Sequence, residues 1–217
     1  MNTKKKIAVV LAGSGVYDGS EIHEATLSLY AISKNGGEYE IFAPNIDQYH
    51  VINHITGEEM SEKRNVLVES ARIARGNIKN LTDFNVDNFD AVLFPGGFGI
   101  AKNLCSFAFD GPDCDVNPDV EAVIKAMHKV GKPIGALCIS PALIAKVLGK
   151  VKLTIGQDAG TAKAITSLGA THINTNHGEI VFDRDNNIVT TPCYMLDATI
   201  AQIGEGAENV VKTIMAL

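Results

Sequence analysis

The feature that most constrains the fold is a regular alternation of short apolar runs with amphipathic stretches, several of which end in glycine. Such an alternation predicts βαβ units, and therefore a mostly parallel sheet with helices on both faces. The predicted strands cover residues 6–13, 39–44, 89–99 with a terminal Gly-rich turn, 133–138 and 151–156, with a hairpin over 179–192. The predicted helices cover residues 20–37, 64–76, 117–132, 141–149, 159–169 and 196–217. We therefore predict a single-domain, three-layer α/β/α sandwich spanning residues 1–217.

The composition is that of an ordinary globular domain and excludes several functional classes. The chain has 217 residues, 46% of them hydrophobic, and a net charge of −6, with basic residues scattered apart from Lys4-Lys5-Lys6. We therefore expect no nucleic-acid partner. No apolar run reaches transmembrane length, and the N-terminal apolar stretch is typical of a first buried strand, so no membrane association is expected.

The four cysteines stand at positions 105, 114, 138 and 193 and form no C-x-x-C pair. Their spacing favours reduced thiols in a cytoplasmic protein and gives no support to a metal site. Ligands and catalytic groups of parallel sheets gather where strands end, which directs attention to the residues that close each predicted strand.

Cys138 closes the strand "PIGALC" and directly precedes a predicted helix. Ala136 and Ser140 flank it at two residues on either side, as a sharp strand-to-helix nucleophile elbow requires. Ser140 is suited to cap the helix and Pro141 to occupy its first turn, so the thiol would lie over a helix N-terminus and have a lowered pKa. We interpret Cys138 as a nucleophile; the alternative is a small core residue that ends a buried strand.

Two further features complete a candidate site. The "PGG" turn at Gly96-Gly97 would leave the N–H of Gly97 free to form an oxyanion hole with the N–H of Ile139. In the first helix, whose predicted apolar stripe is Ile22, Thr26, Leu29 and Ile32, Asp18 and Glu21 can form a capping box. Glu24, one turn further on, would then lie near the strand ends, where a carboxyl group can meet the thiol; the alternative is a solvated helix-face glutamate.

Two other motifs suggest different chemistry. "GSGVYDG" departs from the dinucleotide fingerprint, because Asp18 stands where the third glycine belongs, so no nicotinamide cofactor is expected. "His177-Gly-Glu179" after a cysteine resembles the Cys-His-Glu triad of glutamine amidotransferases, although His177 precedes the last hairpin. Cys193, which closes the final strand, is either a small buried residue or a second thiol near Cys138.

In order along the chain, "GSGVYDGSEIHEA", "VINHITGEEM", "RNVLVESARIARG", "PGGFGIAKNL", "GKPIGALCISPA" and "IVTTPCYML" resemble the ThiJ/PfpI superfamily, and more narrowly its ElbB-like, isoprenoid-biosynthesis-associated glyoxalases. The resemblance implies a flavodoxin-like, class I glutamine amidotransferase-like fold, a reactive elbow cysteine at Cys138 with a carboxyl partner at Glu24, and a homodimer. Many superfamily members have a histidine where this chain has Ile139, or further on, where it has Asp158. A peptidase-like Cys-His pair is therefore not expected.

With Cys138 and Glu24 in these positions, the resemblance implies a cofactor-independent, glutathione-independent glyoxalase of the lyase class. Its substrate would be a small reactive dicarbonyl such as glyoxal. Cys138 would attack this substrate to form a hemithioacetal, and the product would be a 2-hydroxy acid such as glycolate. The alternative is a cysteine-based redox sensor or accessory protein linked to isoprenoid biosynthesis, in which Cys193 acts as a resolving thiol. A third hypothesis is glutamine amidase chemistry that depends on His177.

Overall fold

The computed structural model describes residues 4–217; residues 1–3, which belong to the predicted domain, lie outside this range. Nine strands are present in this range: β1 Lys6–Val10, β2 Glu38–Ala43, β3 Lys79–Asn80, β4 Ala91–Phe94, β5 Ile134–Leu137, β6 Lys152–Leu153, β7 Thr171–His172, β8 Val181–Asp183 and β9 Ile188–Thr191. The α-helices are α1 Ile22–Lys34, α2 Val66–Ile73, α3 Phe107–Asp110, α4 Pro118–Lys129, α5 Ser140–Leu148, α6 Ala159–Ser167 and α7 Ile200–Ala216.

Seven strands form one sheet in the order β3-β2-β1-β4-β5-β9-β8. All neighbouring pairs are parallel except β8 and β9, which form the predicted antiparallel hairpin. The carboxyl ends of β1, β4, β5 and β9 therefore meet at one edge, with Leu137 of β5 in register with Thr191 of β9.

Alternate residues of the central strands enter two separate cores. In β1, Ile7 and Val9 pack on one face while Ala8 and Val10 pack on the other, as the two-residue period of a strand requires. Helices α1 and α7 cover the first face, and α4, α5 and α6 cover the second. The predicted three-layer α/β/α sandwich with a mostly parallel sheet is confirmed.

Several local predictions were wrong. The segment 151–156 contains only β6, which pairs with β7 in a separate two-stranded sheet. The segment 100–115, for which no regular structure is predicted, contains a π-helical turn Ile100–Leu104, α3 and a 3-10 turn Gly111–Asp113. The predicted helices 64–76 and 196–217 are shorter, since they begin at Val66 and Ile200.

The predicted apolar stripe of α1 was wrong in its first half. Ile22 is 46% exposed and Thr26 is also exposed, whereas Glu24, Ala25 and Ser28 are buried. Because a carboxyl group occupies the buried face, hydrophobic periodicity does not identify that face correctly.

Among the helices of residues 4–217, none combines the length and the hydropathy that a membrane span requires.

Candidate active site

Cys138 lies at the sharp turn between β5 and α5, as the elbow motif predicts. Its φ of +59° is in the left-handed region, which costs a residue with a side chain about 1–2 kcal/mol. The N–H of Cys138 donates to the carbonyl oxygen of Thr191 at 3.0 Å, at the end of the neighbouring strand β9. Such strain is concentrated at functional sites, where the surrounding structure maintains it.

The start of α5 is held differently from the prediction. Ile139 is the N-cap residue, and no side chain caps the helix. The hydroxyl of buried Ser140 instead donates to the carbonyl oxygen of Pro95 at 2.8 Å. Ser140 therefore joins the helix start to the "PGG" turn rather than capping the helix.

Gly96 permits the close approach of these elements. A Cβ atom added there would lie 2.4 Å from the Cβ of Cys138 and 2.6 Å from Oε2 of Glu24. Gly97, with φ +103°, would place a Cβ atom 2.4 Å from the N of Glu21. No side chain fits at either position without displacing the site.

Glu24 is fully buried beside the thiol. Its Oε2 accepts from the N–H of Gly96 at 2.8 Å, and its Oε1 accepts from the N–H of Tyr194 at 3.3 Å. Its carboxyl group also lies beside Cys138, close enough to influence the pKa of the thiol. Burial, and secondly the charge of Glu21, raise the pKa of Glu24 to about 8, so this carboxyl group is mostly protonated at neutral pH.

Glu21 has a structural role, although not the predicted one. It is the N-cap residue of α1, and its side chain accepts from the N–H of Glu24 at 2.7 Å. Asp18 instead accepts from the N–H of Ile52 at 2.7 Å. The predicted Asp18–Glu21 capping box is therefore absent.

The predicted lowering of the pKa of the Cys138 thiol was wrong. Burial, and secondly the Glu24 carboxylate, raise this pKa well above its usual value. The N–H groups of Gly97 and Ile139 do reach the sulfur and lower the pKa, but burial outweighs them. The predicted oxyanion donors thus lie at the thiol, while the resting sulfur is a neutral thiol rather than an anion.

A cavity of about 340 Å³ opens over this thiol, and Cys138 is 7% exposed. Its other lining residues are Val16, Gly97, Phe98, Ile139, Asp158, Thr161, Tyr194 and Met195. The walls are mainly apolar, which is typical of a small-molecule site with few polar groups. The cavity gives a small ligand a route to the sulfur.

The accessory residues are divided between two places. Asp158 lines the cavity and caps α6 by accepting from the N–H of Thr161 at 2.7 Å, which lowers the pKa of Asp158. Cys193 is buried beside the site with φ +42°, and burial, then the charges of Glu24 and Cys138, raise its pKa. His177 does not line this cavity and instead lines a separate groove of about 560 Å³ with Glu179.

Sequence reasoning missed Tyr194 and His23. Tyr194 lines the cavity, and its hydroxyl oxygen lies 2.8 Å from Nδ1 of His23 on α1. Tyr194 follows the last strand, so the rule that sites lie at strand ends was sufficient to identify it. Among residues 4–217, no cluster of three or more His, Cys, Asp or Glu side chains is arranged to hold a metal ion.

No family model matches the sequence. The chain is 48% identical over 222 residues to the human "Glutamine amidotransferase-like class 1 domain-containing protein 3, mitochondrial", covering 98% of this chain and 83% of that protein. The crystal structure of an isoprenoid biosynthesis protein with an amidotransferase-like domain from Ehrlichia chaffeensis is similar, with a TM-score of 0.92, 35% identity and 98% of each chain covered.

The structure of glyoxalase III from Candida albicans is a more distant match. Its TM-score is 0.63 at 17% identity, and the match covers 98% of this chain and 96% of that one. At this identity the similarity is one of fold alone.

Proposed function

The chain belongs to the glutamine amidotransferase-like class 1 proteins of the ThiJ/PfpI superfamily, in its ElbB-like group, and we propose that it is a glutathione-independent glyoxalase. It would convert glyoxal, or a similar small 2-oxoaldehyde, to a 2-hydroxy acid such as glycolate. The observation that carries this proposal is the position of the buried Glu24 carboxyl group beside a strained thiol at an open cavity, so close that a methyl group at Gly96 would contact both.

The first step is addition of the Cys138 sulfur to one aldehyde carbon. The reactive form of the Glu24–Cys138 pair carries one negative charge, because Glu24 in its carboxylate form accepts the thiol proton as the S–C bond forms. The new oxyanion receives hydrogen bonds from the N–H groups of Gly97 and Ile139 and then a proton, giving a hemithioacetal.

The second step moves a proton between the two carbons. Glu24 takes the hydrogen from the carbon bonded to sulfur and returns a proton to the neighbouring carbon, through an enediol, to give a thioester of glycolate. A carboxyl group with a pKa of about 8 is suited to both tasks near neutral pH. Water then hydrolyses the thioester, releasing the 2-hydroxy acid and restoring the thiol.

Cys138→Ala tests this function. We expect it to lower glyoxal turnover by about 100-fold or more, because no other thiol lines the cavity. Cys114→Ala, which lies outside the cavity lining, is the matched control and should retain parental turnover. Equal rates of glycolate formation by the parent and by Cys138→Ala would exclude this mechanism.

A redox or accessory role linked to isoprenoid biosynthesis is the second candidate. It is favoured by the position of Cys193, a second thiol close enough to Cys138 and Glu24 for their charges to raise its pKa. It is also favoured by the name of the Ehrlichia chaffeensis protein. Selective oxidation of Cys138 by mild peroxide, with negligible turnover of glyoxal, would support this role. Glutamine amidase chemistry is not proposed, because His177 lies in the other groove.

We retain a homodimer and a cytoplasmic location as proposals. The human relative has the word "mitochondrial" in its name, so fractionation of the native host cell is the appropriate measurement of location. Analytical ultracentrifugation measures the oligomeric state.

A further inference from the structure

The other two cysteines lie close together on the segment 105–114, called here the dithiol loop. Both are free, buried thiols, and each influences the pKa of the other. Neither lines the cavity over Cys138. The loop is therefore a second place where two thiols lie close together.

The backbone closes this loop and holds its two arms side by side. The N–H of Ser106 donates to the carbonyl oxygen of Asp115 at 2.9 Å, and the N–H of Asn117 donates to that of Leu104 at 2.9 Å. Cys105 pairs across the arms with Val116. Cys114 stands two residues before Val116 and is therefore a diagonal neighbour of Cys105 across the two arms. This pairing brings the two thiols near each other.

The surroundings assign different roles to the two sulfurs. Cys105 is packed in the apolar core, and its thiol lies 3.4 Å from the carbonyl oxygen of Ile100. Cys114 is also buried, 1% exposed against 6% for Cys105, and lies between the exposed residues Asp113 and Asp115. Burial therefore does not distinguish the two sulfurs, but their polar neighbours do.

A lysine amine from α5 stands over the loop. Nζ of Lys146 donates to the carbonyl oxygen of Pro112 at 2.9 Å. The interaction with the Cys105 thiol, and then the charge of Lys146, lower the pKa of Cys114 to about 7, against burial and the charge of Asp110. The interaction with the Cys114 thiol, and then burial, raise the pKa of Cys105. Cys114 is the thiol that ionises first.

We propose that Cys105 and Cys114 form a dithiol that a hydroperoxide oxidises to an intramolecular disulfide, at a modification site separate from Cys138. The Cys114 thiolate attacks one peroxide oxygen, the O–O bond breaks, and an alcohol or water leaves with a proton from the pair. The Cys105 sulfur then attacks the Cys114 sulfenic acid, and its hydroxyl leaves as water. The two thiols lose two electrons and two protons, and the peroxide is reduced. A disulfide has an S–S distance of about 2.05 Å, so closure draws the two sulfurs together.

The loop is attached to the segment that borders the candidate active site. Nδ2 of Asn103 donates to the carbonyl oxygens of Ala12 at 3.0 Å and Asp18 at 2.9 Å. Nζ of Lys102 donates to the carbonyl oxygen of Tyr17 at 2.9 Å. The modification would thus lie beside, and not within, the machinery around Cys138.

The test uses the full chain treated with a small excess of hydrogen peroxide, then denatured and alkylated. We expect the mass of the unalkylated protein to fall by about 2 Da, with two fewer alkylatable thiols. Peptide mapping should place the bond between positions 105 and 114. Oxidation at Cys138 adds about 16 or 32 Da instead, so the two reactions are separable in one spectrum.

Variants assign the bond. In Cys138→Ser and Cys193→Ser proteins the loss of about 2 Da should persist, whereas Cys105→Ser and Cys114→Ser should each abolish it. Four alkylatable thiols after peroxide, or a bond that joins Cys138 to Cys193, would overturn the proposal. Peptide mapping of the parent protein distinguishes these outcomes even if a cysteine variant fails to fold.

Discussion

The four cysteines form two pairs, Cys138 with Cys193 and Cys105 with Cys114, which can be compared within one molecule. Cys138 and Cys193 lie at the ends of adjacent strands with left-handed backbones, beside the buried carboxyl group of Glu24. Cys105 and Cys114 lie on a surface loop beneath the amine of Lys146, with no positive φ at either position. Each pair combines burial with a charged neighbour, but the neighbours have opposite signs.

The surroundings of each pair determine how its thiols ionise. Burial, and secondly the Glu24 carboxylate, raise the pKa of Cys138, whereas the interaction with the Cys105 thiol, and then the ammonium group of Lys146, lower the pKa of Cys114. The comparison teaches that backbone N–H groups at a helix start do not by themselves make a cysteine acidic. The reactive group at the elbow is the Glu24–Cys138 pair rather than a lone thiolate.

The largest expected effect comes from Gly96→Ala, which disrupts the site around Cys138 and leaves the Cys105–Cys114 loop intact. The new methyl group would clash with Cys138 and Glu24, so we expect a loss of about 1–3 kcal/mol in unfolding free energy and of about 100-fold in glyoxal turnover. Denaturant titration and steady-state kinetics measure these changes, while alkylation of Cys114 should be unaffected. Gly204→Ala in α7, whose Cβ atom meets only Leu27 at 3.8 Å, is the control. Parental activity in Gly96→Ala would contradict the tight site described here.

The second prediction concerns Glu24 and the pH dependence of stability. The pKa of Glu24 is about 8 in the folded protein, against 4.5 for the free group. As pH rises, the unfolded chain therefore loses this proton first, and stability falls. Between pH 5 and 8 the unfolding free energy of the parent should fall by about 3 kcal/mol, and that of Glu24→Gln should not show this fall.

Denaturant titrations across this pH range give the unfolding free energy at each pH, and the test compares its slope against pH in the parent and in Glu24→Gln. A pH-independent destabilisation by the new amide group does not change this slope. Glu58→Gln, at an exposed glutamate, should keep the parental slope. Identical slopes for the parent and Glu24→Gln would mean that Glu24 is ionised throughout.

The smallest expected effect sharpens the contrast between the two thiols. Alkylation of Cys114 by iodoacetamide should reach half its maximal rate at about pH 7, since the pKa of Cys114 is about 7. The alkylation rate of Cys138 should show no plateau near neutral pH and should increase only at higher pH, because the pKa of Cys138 is raised. Lys146→Gln should move the Cys114 midpoint upward by a fraction of a pH unit and leave the Cys138 profile unchanged. Peptide-resolved mass spectrometry measures both profiles in one sample, and coincident profiles would remove the distinction.

Much of the site was predictable because its signals are local. Small residues around Cys138 and glycines after β4 indicate an elbow and a close turn, and the structure contains both. The predicted position of Glu24 at the thiol agrees with the structure, although the predicted apolar stripe of its helix does not. The capping role of Ser140 and the acidity of the thiol were wrong, because each depends on what other segments bring to that corner.

The sequence by itself determined the layered α/β architecture, since the alternation of strand and helix patterns leaves few ways to bury both faces of a parallel sheet. It also determined that a cysteine stands at a strand end. Only the tertiary structure decided which groups surround that cysteine: Glu24 and Gly96, joined by a hydrogen bond, are 72 positions apart. Burial and charge act through space, so the pKa of a thiol is set by neighbours that no local pattern specifies.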